Sequence, residues 1–428
     1  MDIQSPPGLF DILPKDPQEE WRSSHLWNFV ESTIRATAEL YGYQEIRTPI
    51  MERAELFQRS VGETSDIVAK EMYTFEDKGG RLLSLRPEGT APVLRAVIQH
   101  QLSHASPMQK YFYIGPMFRY ERAQAGRYRQ HHQFGAEALG SPAPEQDAEL
   151  IDLLYTVYTR LGLKDLRVVI NSIGEASCRQ AYRKALIDYL SQYREQLSED
   201  SKKRLETNPL RILDSKDPRD HAIIADAPSI LDFLNQECRD HFEEVQRCLQ
   251  LLNIPYEVND KIVRGLDYYN KTVFEVTAKE LGAQNSIGGG GRYDQLMQNL
   301  GGPNLPALGF GAGMERIIQT MLKQNVAAPK PYHPTLFLIP LGKEANTRCF
   351  SLLHDLRTSG ISVQMDFSGR KLGKVMHYAD QMQATFTAVV GDKELESGEI
   401  ALKEMATGEI KKIPLSNLTT TLLRLHNV

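Results

Sequence analysis

Four separated segments place arginines or acids among glycines within otherwise strand-like sequence: LRPEGT at 85–90, FRYER at 118–122, IVRGLDYY at 262–269 and GFGAGMERI at 309–317. The second runs on through a charged stretch to Glu137, and Tyr111 to Leu139 reads as a β-hairpin with a long connecting loop. Side chains alternate along a strand, so Gln133, Gly135 and Glu137 share one face and Phe134, Ala136 and Ala138 the other. On the incoming strand Arg119 and Glu121 share a face, and the loop between the strands carries Arg122, Arg127 and Arg129. One side of the hairpin can pack a core. The other forms a polar floor with a basic lip.

Taken singly, each segment has a plainer use, since glycines make turns and arginines decorate surfaces. Glu88 and Thr90 could simply cap a helix, and Tyr268 and Tyr269 could be ordinary strand aromatics. The string GGGG at 288–291 reads as a glycine-dense turn, and no Gly-Lys-Ser/Thr closes it into a P-loop.

The elements that must position these residues follow from periodicity. Residues 17–41 form an amphipathic helix, with Gly42 at its C-cap. A short strand, 44–47, runs into Pro49, and 51–59 reads as helical. Pro49 suits a strand end or an edge where subunits meet. A mobile loop is expected over 62–80, then a strand, a turn at Arg86–Thr90 and a helix. Pro144 leads a helix to Leu161, and 165–173 is strand-like. Helix then follows highly charged helix up to Asn253, and extended sequence resumes on the far side, so 174–254 reads as an insertion. The first domain is therefore split into 1–173 and 255–326. NVAAPKPYHP holds a proline-rich linker, 327–334, and strand–helix alternation over 335–428 makes a small α/β domain.

A chain of 428 residues is too long for one ordinary core. Its 41% hydrophobic and 25% charged content is that of a globular protein outside the membrane. A net charge of −5 argues against a wholly basic nucleic-acid coat but leaves room for a local basic groove. The four cysteines lack any C-x-x-C pairing, which fits reduced structural thiols and gives no zinc site or disulfide frame. No signal peptide is evident, and no apolar run reaches the ~18 residues that span a bilayer. A cytoplasmic location is expected.

Order and combination point further than any single motif. GYQEIRTPIMERAELF (42–57), FRYER…GRYRQHHQFGAEALG and GFGAGMERI resemble motifs 1, 2 and 3 of the class II aminoacyl-tRNA synthetases. LRPEGT, VRGLDYYNKTVFE and GGGGRYDQL are similar to sequences peculiar to the histidyl-tRNA synthetases. The resemblance spans nearly the whole chain in family order. It departs in detail: Ala123 stands where the loop of motif 2 usually has proline, and Gly313-Met314 replaces the more usual Gly-Leu.

The resemblance implies an α+β fold: an antiparallel-sheet catalytic domain with a helical insertion, and a C-terminal α/β anticodon-binding domain. It also implies an activity, ligation of histidine to tRNA(His) through a histidyl-adenylate, with ATP as substrate, Mg²⁺ at the phosphates and a homodimer joined through motif 1. A carboxylate attacks phosphorus in this reaction, and an α-carboxyl is already ionised near pH 7, so no general base is needed. Orientation and charge stabilisation must do the work, which suits the planar, permanently charged fork of arginine. By resemblance Arg119 contacts the α-phosphate, Arg316 the γ-phosphate, and Glu121 belongs to the ATP site. Arg264 sits beside the α-phosphate and the histidine carboxylate, and with Arg119 is expected to be catalytic. Glu88, Gly89, Thr90 and Gln133 hold the α-amino end, Glu137 and Tyr269 the imidazole nitrogens, and Tyr268 lines the pocket. Arg122, Gln124 and Arg127 face the tRNA acceptor end, and Arg370, Lys371 and Lys374 the anticodon region. No protein side chain is assigned as a metal ligand. A regulatory paralogue, like the synthetase-like subunit of ATP phosphoribosyltransferase, would have lost catalytic residues and usually the C-terminal domain. An uncharged-tRNA sensor would need a longer chain.

Overall fold

The computed structural model describes residues 3–62, 67–104, 106, 108–121, 127–215, 217–262, 266, 268–279 and 286–426. Two compact units emerge, Met1–Pro329 and Lys330–Val428.

Helix α1 (Ser24–Leu40) opens the first unit and buries Trp27, Val30, Ile34 and Ala38. It stops at Gly42, whose φ of +76° is open to glycine without strain. Beyond it come β1 (Gln44–Glu45), β2 (Met51–Arg53), α2 (Ala54–Val61), β3 (Thr74–Glu76), β4 (Leu82–Leu85) and α3 (Thr90–Gln99). Two expectations fail here. Met51–Arg53 is strand, not helix, because it pairs antiparallel with β4. The 62–80 stretch, expected as loop, contains β3, which pairs with the other edge of β4. These partners lie some 30 and ten residues away in sequence, beyond the reach of local periodicity.

The hairpin is β5 (Gln109–Phe118) and β6 (Gln130–Leu139), followed by α4 (Pro144–Arg160) and β7 (Leu166–Ser172). Then come α5 (Ala176–Gln192), α6 (Glu199–Thr207), α7 (Pro218–Ala225) and α8 (Gln236–Leu251). Helices α5 to α7 build a small core of their own around Tyr182, Leu186, Ile212 and Ile224. Helix α8 instead lays Phe242, Val245 and Leu249 into the main core. The chain returns through β8 (Tyr256–Val258), β9 (Asn270–Ala278), β10 (Ser286–Arg292), α9 (Leu296–Asn299), β11 (Ala307–Gly313) and α10 (Met314–Lys323).

Among the described residues one sheet has the order β1-β5-β6-β11-β10-β9-β7-β8. It is antiparallel except at its ends, where β1 joins β5 and β8 joins β7 in parallel. The hairpin lies beside β11 with Gln133, Gly135 and Glu137 opposite Gly313, Gly311 and Gly309. Helices α1, α4 and α10 cover the other face; fully buried Ile317 and Ile318 of α10 contribute about 1.5–3 kcal/mol each. The GGGG string is not a turn. It is the middle of β10, between β9 and β11. Gly309 and Gly311 likewise lie within a strand, β11.

The second unit contains β12 (Leu336–Pro340), α11 (Lys343–Thr358), β13 (Val363–Met365), α12 (Leu372–Gln381), β14 (Phe386–Val390), α13 (Asp392–Ser397), β15 (Glu399–Glu404), β16 (Ile410–Pro414) and α14 (Leu418–His426). Its sheet order is β13-β12-β14-β15-β16, parallel across the first three strands and antiparallel across the rest. Leu336, Leu338, Ala388 and Val390 pack beneath Leu352, Leu353 and Leu356 of α11.

Candidate active site

The polar face of the hairpin opens into a cleft of about 890 Å³. Arg119 and Glu121, just past β5, lie on its wall with Arg127, Gln133 and Arg316. Arg119 is anchored by its Nε, which donates to the Pro87 carbonyl at 2.8 Å. The turn before α3 thereby fixes the first arginine. Arg316 donates to the Ser286 carbonyl at 2.7 Å, which ties the second to the start of β10. Burial and the charge of Arg127 lower its pKa from the ordinary arginine value. Glu121 lies 4.0 Å from Arg119 and 3.4 Å from Arg127 as an ion pair, while its buried Oε2 has no hydrogen-bond partner. Gln133 also keeps a buried Oε1 without a partner. An unsatisfied buried acceptor costs free energy unless a ligand supplies the donor.

Deeper in lies a second cluster. Glu137 is fully buried, and its Oε1 accepts from Thr90 Oγ1 at 2.8 Å and from the Tyr113 hydroxyl at 3.3 Å. The Tyr293 hydroxyl donates to Oε2. Burial pushes the Glu137 carboxyl up to about 8, against the pull of these donors and with the push of nearby Glu88. Glu88 accepts from the backbone N–H of Thr90 at 2.7 Å and of Ala91 at 2.9 Å, so it does cap α3, and burial raises its pKa as well. Tyr268 packs at a tilt against Tyr269, ring centroids 4.7 Å apart, and meets Tyr293 edge-on at 5.4 Å. Beside Gly135 the free space is taken by the Tyr113 ring, which a Cβ at 135 or at 89 would overlap. Gly89 is needed for that ring.

Not every expected residue converges. Tyr269 also lines a separate cavity of about 70 Å³ with Asn171 and Arg179, and Arg179 donates to its carbonyl. Arg264, Arg122 and Gln124 lie outside the described residues. Arg370 and Lys374 line a depression on the second unit with His377 and Tyr378, Arg370 standing 5.5 Å over the Tyr378 ring. Lys371 is the N-cap of α12 beside them.

Sequence reasoning missed several residues. His131 has the same strand parity as Gln133 and Glu137 and lines the cleft; burial, then Arg119, His132 and Arg316, hold its pKa down at about 3. The alternation rule could have found it. Tyr113 stands opposite Gly135, a large residue paired with none, which is also readable. Tyr293, outside the cleft lining, showed only within the GGGGRYDQL resemblance, and the insertion residues Arg204 and Arg211 on the cleft wall left no local signal. No cluster of three or more His, Cys, Asp or Glu side chains able to hold a metal occurs among the described residues. All four cysteines are buried and free. No helix among the described residues is long and apolar enough to cross a membrane.

This architecture, an antiparallel sheet whose central hairpin and following strand-to-helix element face a cleft, is that of the class II aminoacyl-tRNA synthetases. Residues 9–317 match the family model for histidyl-tRNA synthetase and 335–425 that for an anticodon binding domain. The chain is 64% identical over 422 residues to a histidine–tRNA ligase of Protochlamydia amoebophila, covering 99% of this chain and 100% of the relative. It is 48% identical over 425 residues to one of Halothermothrix orenii, again covering 99% and 100%. Apo S. aureus histidyl-tRNA synthetase superposes with a TM-score of 0.81 at 38% identity, covering 98% of this chain and 100% of that one. The chain belongs to the histidyl-tRNA synthetase family.

Proposed function

We infer that the chain is a histidine–tRNA ligase that activates histidine with ATP and transfers it to the 3′ end of tRNA(His). The observation that carries this reading is the convergence of Arg119, Gln133 and Arg316, from separated segments, in one cleft beside buried Glu137. The histidine carboxylate attacks the α-phosphorus of ATP, the new O–P bond forms as the bond to the β-phosphate oxygen breaks, and diphosphate leaves. Charge developing on phosphorus oxygens meets Arg119 at the α-phosphate and Arg316 at the γ-phosphate, both already positioned by backbone carbonyls. Arg264 completes the set at the carboxylate. Gln133 Oε1, with Glu88 and Thr90, takes the α-ammonium; Glu137 and Tyr269 take the imidazole, with Tyr268 beside them. A pocket that pairs both ring nitrogens rejects apolar amino acids, because its own buried groups would be left unsatisfied.

Mg²⁺ commonly binds through one or two carboxylates plus substrate phosphates. Glu121, on the cleft wall beside Arg119, would serve as a protein ligand for it by exchanging the 3.4 Å ion pair of its Oε2 with Arg127 for the metal. When bound, the ion neutralises phosphate charge. In the second step the 3′-terminal hydroxyl of tRNA attacks the histidyl carbonyl and AMP leaves. Arg122, Gln124 and Arg127 are assigned to the acceptor end, and Arg370, Lys371 and Lys374 to the anticodon region, the latter supported by the match to an anticodon binding domain. A homodimer is supported by apolar side chains exposed around the β2-β4-β3 sheet, Ile50, Met51, Phe75 and Leu82, in and next to motif 1. The enzyme is assigned to the cytoplasm. Histidine-dependent ATP–pyrophosphate exchange tests the reading: exchange with histidine is expected, and its absence from folded protein would refute it.

A further inference from the structure

Tyr293 closes the GGGGRY string, and its side chain does not line the large cleft. It is fixed with unusual thoroughness. Arg292, just before it, is fully buried, ion-paired to Asp147 and Asp294, and donates to the carbonyls of Ser141 at 2.9 Å and Ala143 at 3.3 Å. The N–H of Tyr293 itself donates to the Ala307 carbonyl at 2.7 Å. Its ring is held edge-on by Tyr268 at 5.4 Å and Tyr269 at 6.3 Å. All of this directs one hydroxyl at Glu137 Oε2.

We propose that Tyr293 is a specificity-determining positioning residue, whose hydroxyl, bonded to Oε2, orients the Glu137 side chain and favours the ionised form that accepts the imidazole N–H of histidine. The inference rests on the histidine-binding role assigned to Glu137 above. The groups around that carboxylate are Glu88 and Thr90 at the start of α3, Tyr113 on β5, Tyr43 after α1, and Tyr268 and Tyr293. No described residue forms an ion pair with it. Among the described residues its negative charge is therefore stabilised by hydroxyl donors alone, and of these Tyr293 lowers its pKa most, opposing burial and Glu88. Tyr113 and Thr90 share the other oxygen, so neither can replace the Tyr293 bond. Without that bond Glu137 holds its proton to higher pH, and a protonated carboxyl is a poorer acceptor for an N–H.

The test is pyrophosphate exchange with Tyr293→Phe, which keeps the ring and its aromatic contacts. KM for histidine should rise about 10-fold to 150-fold at pH 7, the range for losing a hydrogen bond to a charged group, while kcat and KM for ATP hold. Histidine's own titrations are common to both enzymes, so the ratio of their histidine KM values isolates Glu137. That ratio should be largest at pH 7 and shrink toward pH 9. Glu137→Gln is run alongside, and in that background Tyr293→Phe should add little. A ratio independent of pH, or an unchanged KM in Tyr293→Phe while Glu137→Gln is impaired, overturns the inference and leaves the histidine pocket standing. A wild-type KM in Glu137→Gln, or no exchange by the wild type, overturns both.

Discussion

Two glycines in adjacent strands separate the roles of frame and site. At Gly290 an added Cβ would overlap the Gly309 carbonyl oxygen and approach Phe310 Cα to 2.6 Å. Every obstacle there is backbone. Restoring an ordinary contact of 3.4 Å to Phe310 Cα alone would part β10 from β11 by roughly 0.8 Å in the centre of the sheet, and clearing the Gly309 oxygen requires more. At Gly311 the Cβ would overlap the amide nitrogen of Gln133 and lie 2.8 Å from its Cδ, the far end of a flexible side chain. Gly290→Ala should therefore cost about 3 kcal/mol of stability or more, and Gly311→Ala about 1 kcal/mol or less, because Gln133 can rotate away. Rotation moves the Gln133 carbonyl from the place assigned to the α-ammonium. Losing one hydrogen bond to a charged group is worth about 1.5–3 kcal/mol, roughly a 10-fold to 150-fold rise in KM for histidine. Thermal unfolding of both variants, with pyrophosphate exchange at varied histidine, measures the two effects. If Gly311→Ala melts as low as Gly290→Ala, or binds histidine like the wild type, the placement of Gln133 is wrong.

Three further outcomes are expected. Arg264→Ala should collapse adenylation while largely preserving histidine binding by calorimetry; near-wild-type exchange would mean that another arginine is catalytic. Removal of 330–428, the second compact unit, should spare exchange but weaken tRNA charging, and equal loss of both would make that unit structural. Charging should fall steeply with salt, since Arg370, Lys371, Lys374 and the motif 2 loop are assigned to RNA contacts, and Lys371→Ala with Lys374→Ala should flatten that dependence in filter binding.

How far the sequence could be read depended on how local each signal was. Strand parity alone put Gln133 and Glu137 on one face, and the sheet keeps them there opposite Gly313 and Gly309. The same rule extended two residues would have added His131. The GGGG string was misread because glycine is depleted in strands, a statistic that describes isolated preference. Here Gly290 is required by the backbone of β11, a partner some twenty residues further on. Met51–Arg53 was misread for a similar reason, since three residues carry too little pattern to outweigh the helix that follows. Glu88 was legible only as a cap, and a cap it is; its place beside Glu137 comes from packing. Tyr293 was legible only as part of the GGGGRYDQL resemblance, because its contact is a carboxylate more than 150 residues away. The family resemblance supplied ligand identities that no periodicity contains.

The central claim is that histidine and ATP meet on the polar face of the β5–β6 hairpin. A crystal structure with histidine and a non-hydrolysable ATP analogue tests it directly. The imidazole should lie against Glu137, the α-ammonium at Gln133 Oε1, and the phosphates between Arg119 and Arg316. Phosphates bound elsewhere, or an imidazole that leaves Glu137 with only its three hydroxyl donors, would contradict the account.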